Sequence, residues 1–225
     1  MSFQGKFLVA RPILKDPVFG GKVVFITRSD KNGSEGFILN GPQCGRVGFG
    51  EMKGEEVPQD REQMTKMVNE GKIDSAPLYS GGPCQSPSIV MFHGYPDFIE
   101  SADKDEFQIG STLLDEVSGD KTIIPGVYYG EPSTMAQIIM GKRVVEGKFR
   151  FFNNQAAWSA GQLEREIEAG AWDVVEADIE AVFDPAKADK IWSEKYNYQA
   201  KDFIKDMLQN DDDLPPFRMP EPSDN

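Results

Sequence analysis

Histidine is nearly missing from this chain: His93 is the only one among 225 residues. A Ser-His-Asp or Cys-His engine would have to run through that single side chain. Cysteine is almost as scarce. Cys44 and Cys84 are too few for a disulfide framework and lack zinc-ligand spacing, so reduced thiols and no metal site are expected. Positive charge is short as well, with 24 basic against 37 acidic residues and a net charge of -13, a balance that opposes phosphate backbones and anionic membrane surfaces. No run approaches the apolar length that spans a bilayer, and the opening MSFQGKFLVARPILKDP has no basic start with a long apolar core and cleavage site. A cytoplasmic protein without membrane attachment is the expectation. The glycine-rich residues 41–54 hold Arg46 but lack the Gly-Lys-Ser/Thr ending of a phosphate-binding P-loop, and read as a flexible surface loop.

What is present is a globular composition, 39% hydrophobic and 11% aromatic, on a chain long enough to bury roughly 70% of its unfolded surface. Lys6 to Ala10 reads as a first strand and Val23 to Thr27, a β-branched run, as a buried second. Asp30-Lys31-Asn32-Gly33 is a hairpin turn returning through Gly36 to Leu39, and the chain leaves at Asn40-Gly41-Pro42. Residues 58–71 carry Met64, Met67 and Val68 at helical spacing, with Asp60 as N-cap and Gly71 as stop. Tyr79-Ser80-Gly81-Gly82-Pro83 is a turn feeding a strand over residues 88–93. Residues 106–119 hold a short strand and an ambiguous segment. A helix with Met135, Ile138 and Ile139 on its apolar face is expected over 132–141, and a strand over 148–152.

Residues 151–184 concentrate the signals. Ser159 stands three residues before Gln162, the spacing of a capping box, and Gly170 supplies a stop. Leu163 and Ile167 form the apolar stripe between them, with Gln162 and Glu166 on one flank and Glu164 and Glu168 on the other. A last strand is expected within 174–183, then a helix opened by Asp184-Pro185 through Trp192, and a short helix over 201–208. Residues 210–225, with three consecutive aspartates and four prolines, form an acidic tail expected to be disordered. With no internal repeat and no composition break, residues 1–209 read as one α+β domain.

Candidate chemistry is sparse. Gly81 and Gly82 permit close backbone approach and could leave amides free for an anion or carbonyl, although a tight turn needs them equally. Trp158 and Gln162 place an aromatic platform and amides at a helix entrance, suited to a small planar or anionic ligand; the competing reading packs Trp158 on the helix start and spends Gln162 on the cap. Glu164 with Glu168 could meet a cation together with other residues, yet solvated flanks of an amphipathic helix explain both. His93 at a strand end reads as a hydrogen-bonded structural residue. Cys44 and Cys84 each follow a proline-containing turn, GPQC and GGPC, and would form a redox-sensitive pair if those strand ends are neighbours.

Several separated motifs in order, Phe7-Leu8-Val9-Ala10, Asp16-Pro17-Val18-Phe19, Leu39-Asn40, Gly81-Gly82-Pro83 and the W-x-x-G-Q-L-E-x-E of Trp158 to Glu166, resemble the YqgE/AlgH family of bacterial proteins. The resemblance spans residues 6–192. The run Phe152-Asn153-Asn154-Gln155-Ala156-Ala157 departs from the G-Y-A/S-G that usually precedes the tryptophan. Membership implies a compact α+β domain in the bacterial cytoplasm, its mixed, largely antiparallel strands curving towards a partial barrel with helices around them. It brings no settled biochemical activity; some members are called transcriptional regulators. With no basic stripe and no helix-turn-helix, direct nucleic-acid binding is disfavoured here. The expectation is a non-enzymatic regulatory or interaction protein that binds a partner protein or small ligand. An enzyme with a cleft around Trp158, Gln162, Glu164 and His93 is the second reading, and a transcriptional regulator the third. The candidate ligand-binding set is Asn40, Gly81, Gly82, Trp158, Gln162 and Glu164; no catalytic residue, metal ligand or cofactor is assigned.

Overall fold

A computed structural model describes residues 2–48, 61–72, 75–86, 88–95, 121–130 and 148–196. The chain is α+β, and its described strands lie in two sheets belonging to two compact units. One unit comprises Met1–Gly41, Gly82–Cys84 and Gln155–Asn225; the other comprises Pro42–Gly81 and Gln85–Asn154.

The first unit is built on β1 (Lys6–Ala10), β2 (Val23–Asp30), β3 (Gly33–Ile38), β10 (Ala156–Ser159) and β11 (Trp172–Glu176). Their order is β10-β3-β2-β1-β11, with every pairing antiparallel. The expected hairpin closes between Asp30 and Gly33, where Gly33 has φ +136° and Asp30 Oδ1 accepts the Asn32 amide. Register and the two-residue period sort the side chains. Leu8, Ala10, Val24, Ile26, Ile38, Trp158 and Trp172 share one face, while Phe7, Val9, Val23, Phe25 and Phe37 share the other. Apart from Ile38 at 3%, Trp158 at 3% and Trp172 at 2%, these side chains are at most 1% exposed, so both faces are covered, which is why β2 begins as an unbroken apolar run.

The two edge strands of this sheet, β10 and β11, carry tryptophans whose ring centroids are only 6.2 Å apart. Four strand steps laid flat would separate those edges by about 19 Å. The sheet therefore curls, as expected, without the edges pairing into a closed barrel. Helix α2 (Gln162–Glu168) connects the two edges directly and packs on both. Helix α4 (Pro185–Tyr196) packs on β1 and β2, and its Trp192 Nε1 donates to Ala10 O at 2.6 Å. Asp184 caps α4 as anticipated, its Oδ1 accepting the Ala186 amide at 2.8 Å.

The second unit orders its sheet β4-β5-β9-β6-β8-β7, from β4 (Gln43–Gly48), β5 (Ser75–Ser80), β6 (Val90–His93), β7 (Lys121–Ile124), β8 (Val127–Gly130) and β9 (Phe149–Asn153). Among the described strands of this sheet only β5 and β9 run parallel. Ala76, Leu78, Met91, Tyr95 and Phe151 make its apolar cluster, and α1 (Arg61–Asn69) packs on β4. The Arg150 guanidinium lies 4.3 Å from the Tyr79 ring centroid and 4.9 Å from that of Phe152.

Several expectations change. The supposed loop over 41–54 contains β4, because residues 43–48 pair with β5 and Arg46 reaches across to Ser75. Trp158 sits in β10, after the Asn154-Gln155 break that ends β9. The last strand ends at Glu176, and Asp178 then caps a short helix, α3 (Ile179–Phe183), by accepting the Glu180 amide. The segments at 106–119, 132–141, 201–208 and 210–225 lie outside the described residues.

Candidate functional site

Glu166 organises the concave side of the first unit. It is 3% exposed, projects from α2, and meets three donors. Trp158 Nε1 and Trp172 Nε1 each donate to Oε2 at 2.9 Å, and Gln162 Nε2 donates to Oε1 at 3.0 Å. No basic side chain among the described residues pairs with it, so three neutral N–H groups do the work of a counter-ion. Hydrogen bonds to a charged acceptor stabilise by about 1.5–3 kcal/mol each, which offsets the several kcal/mol that burying a carboxylate costs. Phe19 completes the surround, its ring centroid 6.0 Å from that of Trp158 and 5.6 Å from that of Trp172. The sequence offered one hint, Glu166 one turn beyond Gln162, but no sign that the helix face carrying it turns inward.

The capping box is half made. Gln162 Oε1 accepts the Ser159 amide at 3.0 Å and the Ser159 hydroxyl at 3.1 Å. Ser159 cannot be the N-cap, because it is still paired to Gly33 in the sheet; Gly161, left-handed at φ 71°, takes that place with no side-chain cap. Gln162 thus ties the strand end to Glu166. Trp158 is 3% exposed and packs inward, and Glu164 lies half-buried on α2 outside this network.

Asn40 clamps the start of β2: Oδ1 accepts the Val23 amide at 2.9 Å and Nδ2 donates to Gly21 O at 2.9 Å. The Gly81 amide is committed to Asn153 O at 2.8 Å. At Gly82, φ +155°, an added Cβ would stand 2.3 Å from the Gln155 carbonyl carbon, so close backbone approach requires glycine there. His93, fully buried on β6 of the second unit, accepts the Tyr95 amide at Nδ1, 3.3 Å away. Cys44 is exposed in the second unit, its thiol donating to Leu78 O; Cys84 is half-buried in the first unit and exchanges both backbone bonds with Gln155 at 2.9 Å. Among the described residues no group of three or more His, Cys, Asp or Glu side chains is placed to hold a metal ion. No described helix is long and apolar enough to cross a membrane.

A second polar cluster fastens α4 to β11. Asp173 Oδ2 accepts the Tyr196 hydroxyl at 2.9 Å and lies 3.2 Å from Lys195 Nζ, while Oδ1 is 3.7 Å from Arg11 Nε. Burial is the largest influence on Asp173 and raises its pKa, but the Tyr196 and Lys195 hydrogen bonds and the charges of Lys195 and Arg11 together hold the carboxyl below its ordinary value. Burial first, then Asp173, pushes the Tyr196 phenol up.

One surface missed by the sequence reading is the loop between β1 and β2. Leu14 and Phe19 anchor it in the interior, at 1% and 5% exposure, while Ile13 stands out at 59% and Val18 at 38%. Hydrogen bonds fix its path: Leu14 N to Arg11 O, Gly20 N to Asp16 O, and the Val18 and Phe19 amides to Asp16 Oδ1, all at 2.8 Å.

Comparison with known proteins agrees with this architecture. The AlgH-like family model matches residues 7–203. The chain is 29% identical over 217 residues to a UPF0301 protein of Chlorobaculum tepidum, covering 94% of this chain and 93% of that one. It is 30% identical over 184 residues to a UPF0301 protein of Vibrio vulnificus, covering 82% and 85% respectively. The solution structure of AlgH from Pseudomonas aeruginosa superposes with a TM-score of 0.57 at 18% identity, over 96% of this chain and 97% of that one. A Corynebacterium diphtheriae protein, DIP2367, gives a TM-score of 0.52 at 20% identity over 88% of each chain. The solved structures share the fold, and the family match over residues 7–203 together with the 30% identical Vibrio vulnificus relative shows that the chain belongs to the AlgH-like family.

Proposed function

We propose that the protein acts by binding a partner protein in the cytoplasm, as a regulatory or interaction factor without catalysis of its own. The carrying observation is the β1–β2 loop, which holds Ile13 and Val18 in solvent on a backbone fixed from both ends. Exposed apolar side chains on a rigid support favour association, because docking them orders little new chain. The residues of the enzyme reading are employed otherwise: Trp158 and Gln162 on Glu166, and His93 on the Tyr95 amide. The charge of -13 weighs against a role on DNA.

The test couples wild-type protein and an Ile13→Ser/Val18→Ser double variant to resin, exposes both to bacterial lysate and identifies bound proteins by mass spectrometry. The reading expects a defined set retained by the wild type and lost from the variant at unchanged melting temperature. Identical sets on both resins reject this surface. A lysate that yields no specific protein, together with a metabolite screen in which the protein turns over a substrate, favours the enzyme instead.

A further inference from the structure

The same loop is locally basic within an acidic chain. Residues 11–22 contain Arg11, Lys15 and Lys22 against Asp16 alone, within a protein of net charge -13. Between Arg11 and Val18 the exposed residues are Arg11, Ile13, Lys15, Pro17 and Val18, so basic and apolar groups alternate on the solvent side. Asp16 turns its Oδ1 onto the Val18 and Phe19 amides. Arg11 is shared with Asp173 at 3.7 Å, Lys22 Nζ donates to Asn40 O at 3.3 Å, and the exposed Lys15 ammonium forms no ion pair among the described residues.

We infer that this face docks an acidic peptide segment of a partner protein, one whose carboxylates meet Arg11 and Lys15 while its aliphatic or aromatic side chains cover Ile13 and Val18. The inference rests on the interaction reading and names the chemistry of the partner. Charge complementarity selects the occupant: a short acidic segment feels the local field of the loop within a Debye length of ~8 Å. An anionic membrane would instead meet the protein as an extended surface, which its overall negative charge opposes. Nucleic acid fits less well, because the other exposed residues between Arg11 and Val18 are Ile13, Pro17 and Val18, with no aromatic ring on which bases could stack.

The probe is an array of fluorescent peptides in which Glu and Asp alternate with Leu, Ile, Val or Phe. Controls replace the acids with Lys or the apolar residues with Ser. Fluorescence anisotropy is expected to show saturable binding for acidic-apolar peptides alone, weakened at least ~10-fold by Lys15→Glu or by Ile13→Ser/Val18→Ser, and weakened again by salt. Melting temperatures of both variants should match the wild type, since none of these side chains is buried. Absence of saturable binding, or binding that ignores both variants, overturns the proposal. Loop-dependent binding to phosphatidylserine vesicles without peptide binding overturns it in favour of a membrane. If lysate proteins are still captured through these residues while the acidic array fails, the interaction reading stands and the acidic partner falls.

Discussion

Glu166 Oε2 accepts the Trp158 indole at 2.9 Å, and the same oxygen accepts Trp172 at the same distance. The two tryptophans belong to the opposite edge strands of one sheet, so a single carboxylate ties together edges that do not pair with each other. Helix α2 thereby closes the curl that the strands leave open. This assigns the W-x-x-G-Q-L-E-x-E stretch a structural role: the tryptophan, glutamine and final glutamate are one hydrogen-bonded unit.

Removing that carboxylate should loosen the whole unit. Glu166→Ala strands two buried indole N–H groups and is expected to cost roughly 3 kcal/mol or more. For a chain of this size that lowers the melting temperature by about 6–12 °C. Glu166→Gln keeps one acceptor oxygen but turns an amide towards a donor, and should cost about half as much. Urea unfolding followed by tryptophan fluorescence reads both. Wild-type stability in Glu166→Ala would show that the network carries no weight.

The Asp173 cluster predicts a pH dependence. Its carboxyl is held low in the folded state, so its contribution is complete above the ordinary aspartate value of about 3.9 and is lost as pH falls through the folded value. The stability difference between wild type and Asp173→Asn, measured by urea unfolding, should be constant near neutrality and shrink below about pH 4. Tyr196 mirrors this at the other end. Its raised phenol contributes fully below its ordinary value near 10 and loses the contribution as pH rises through the folded one, so Tyr196→Phe should flatten the alkaline limb. A gap for Asp173→Asn that persists unchanged to about pH 2 contradicts the assignment.

Much of the first unit was legible because its signals are local. The β-branched run of β2, the Asp30 to Gly33 turn and the Asp184-Pro185 helix start each depend on neighbours within a few residues. Strand β4 was not legible: Gly45 and Gly48 weaken its propensity, and only pairing with β5, some 30 residues on, makes it a strand. Strands β7 and β8, four residues each, were not anticipated from the sequence. At the candidate site the sequence pointed to Trp158 and Gln162 but not to what they serve. A helical wheel puts Glu166 beside the apolar stripe; its burial follows from indoles delivered by two distant strands, which spacing along the chain does not encode. The exposed Ile13 was hidden for the converse reason, since an apolar residue between prolines reads equally as core.

The glycines separate a conformational requirement from a steric one. Gly71 has φ +70° with no atom within 4 Å of where a Cβ would stand, whereas at Gly82 backbone atoms of Gln155 and Ala156 lie 2.3 and 2.4 Å from an added Cβ. Gly71→Ala should cost about 1–2 kcal/mol, the strain of a left-handed residue. Gly82→Ala must displace main chain and should cost at least twice that, or prevent folding. Thermal denaturation of the pair decides it, and equal melting temperatures would mean that the 82–84 segment can shift away from Gln155.

Asn40 offers the last test, because its amide is a candidate ligand contact on sequence grounds. Each of its polar atoms is used at 2.9 Å: the oxygen takes the Val23 amide and the nitrogen gives to Gly21 O, bracketing the turn that enters β2. Asn40→Ala therefore leaves a partly buried donor and acceptor unmet and should cost roughly 1–3 kcal/mol. Asn40→Asp separates the two bonds. It keeps an acceptor for Val23 but sets a second oxygen against the Gly21 carbonyl, so it should be no more stable than the alanine variant near neutral pH and should recover as the carboxyl protonates. Chemical denaturation at about pH 7 and about pH 4 reads the difference. An aspartate variant as stable as wild type at both pH values would show that the Gly21 bond is dispensable and would leave Asn40 available to a ligand.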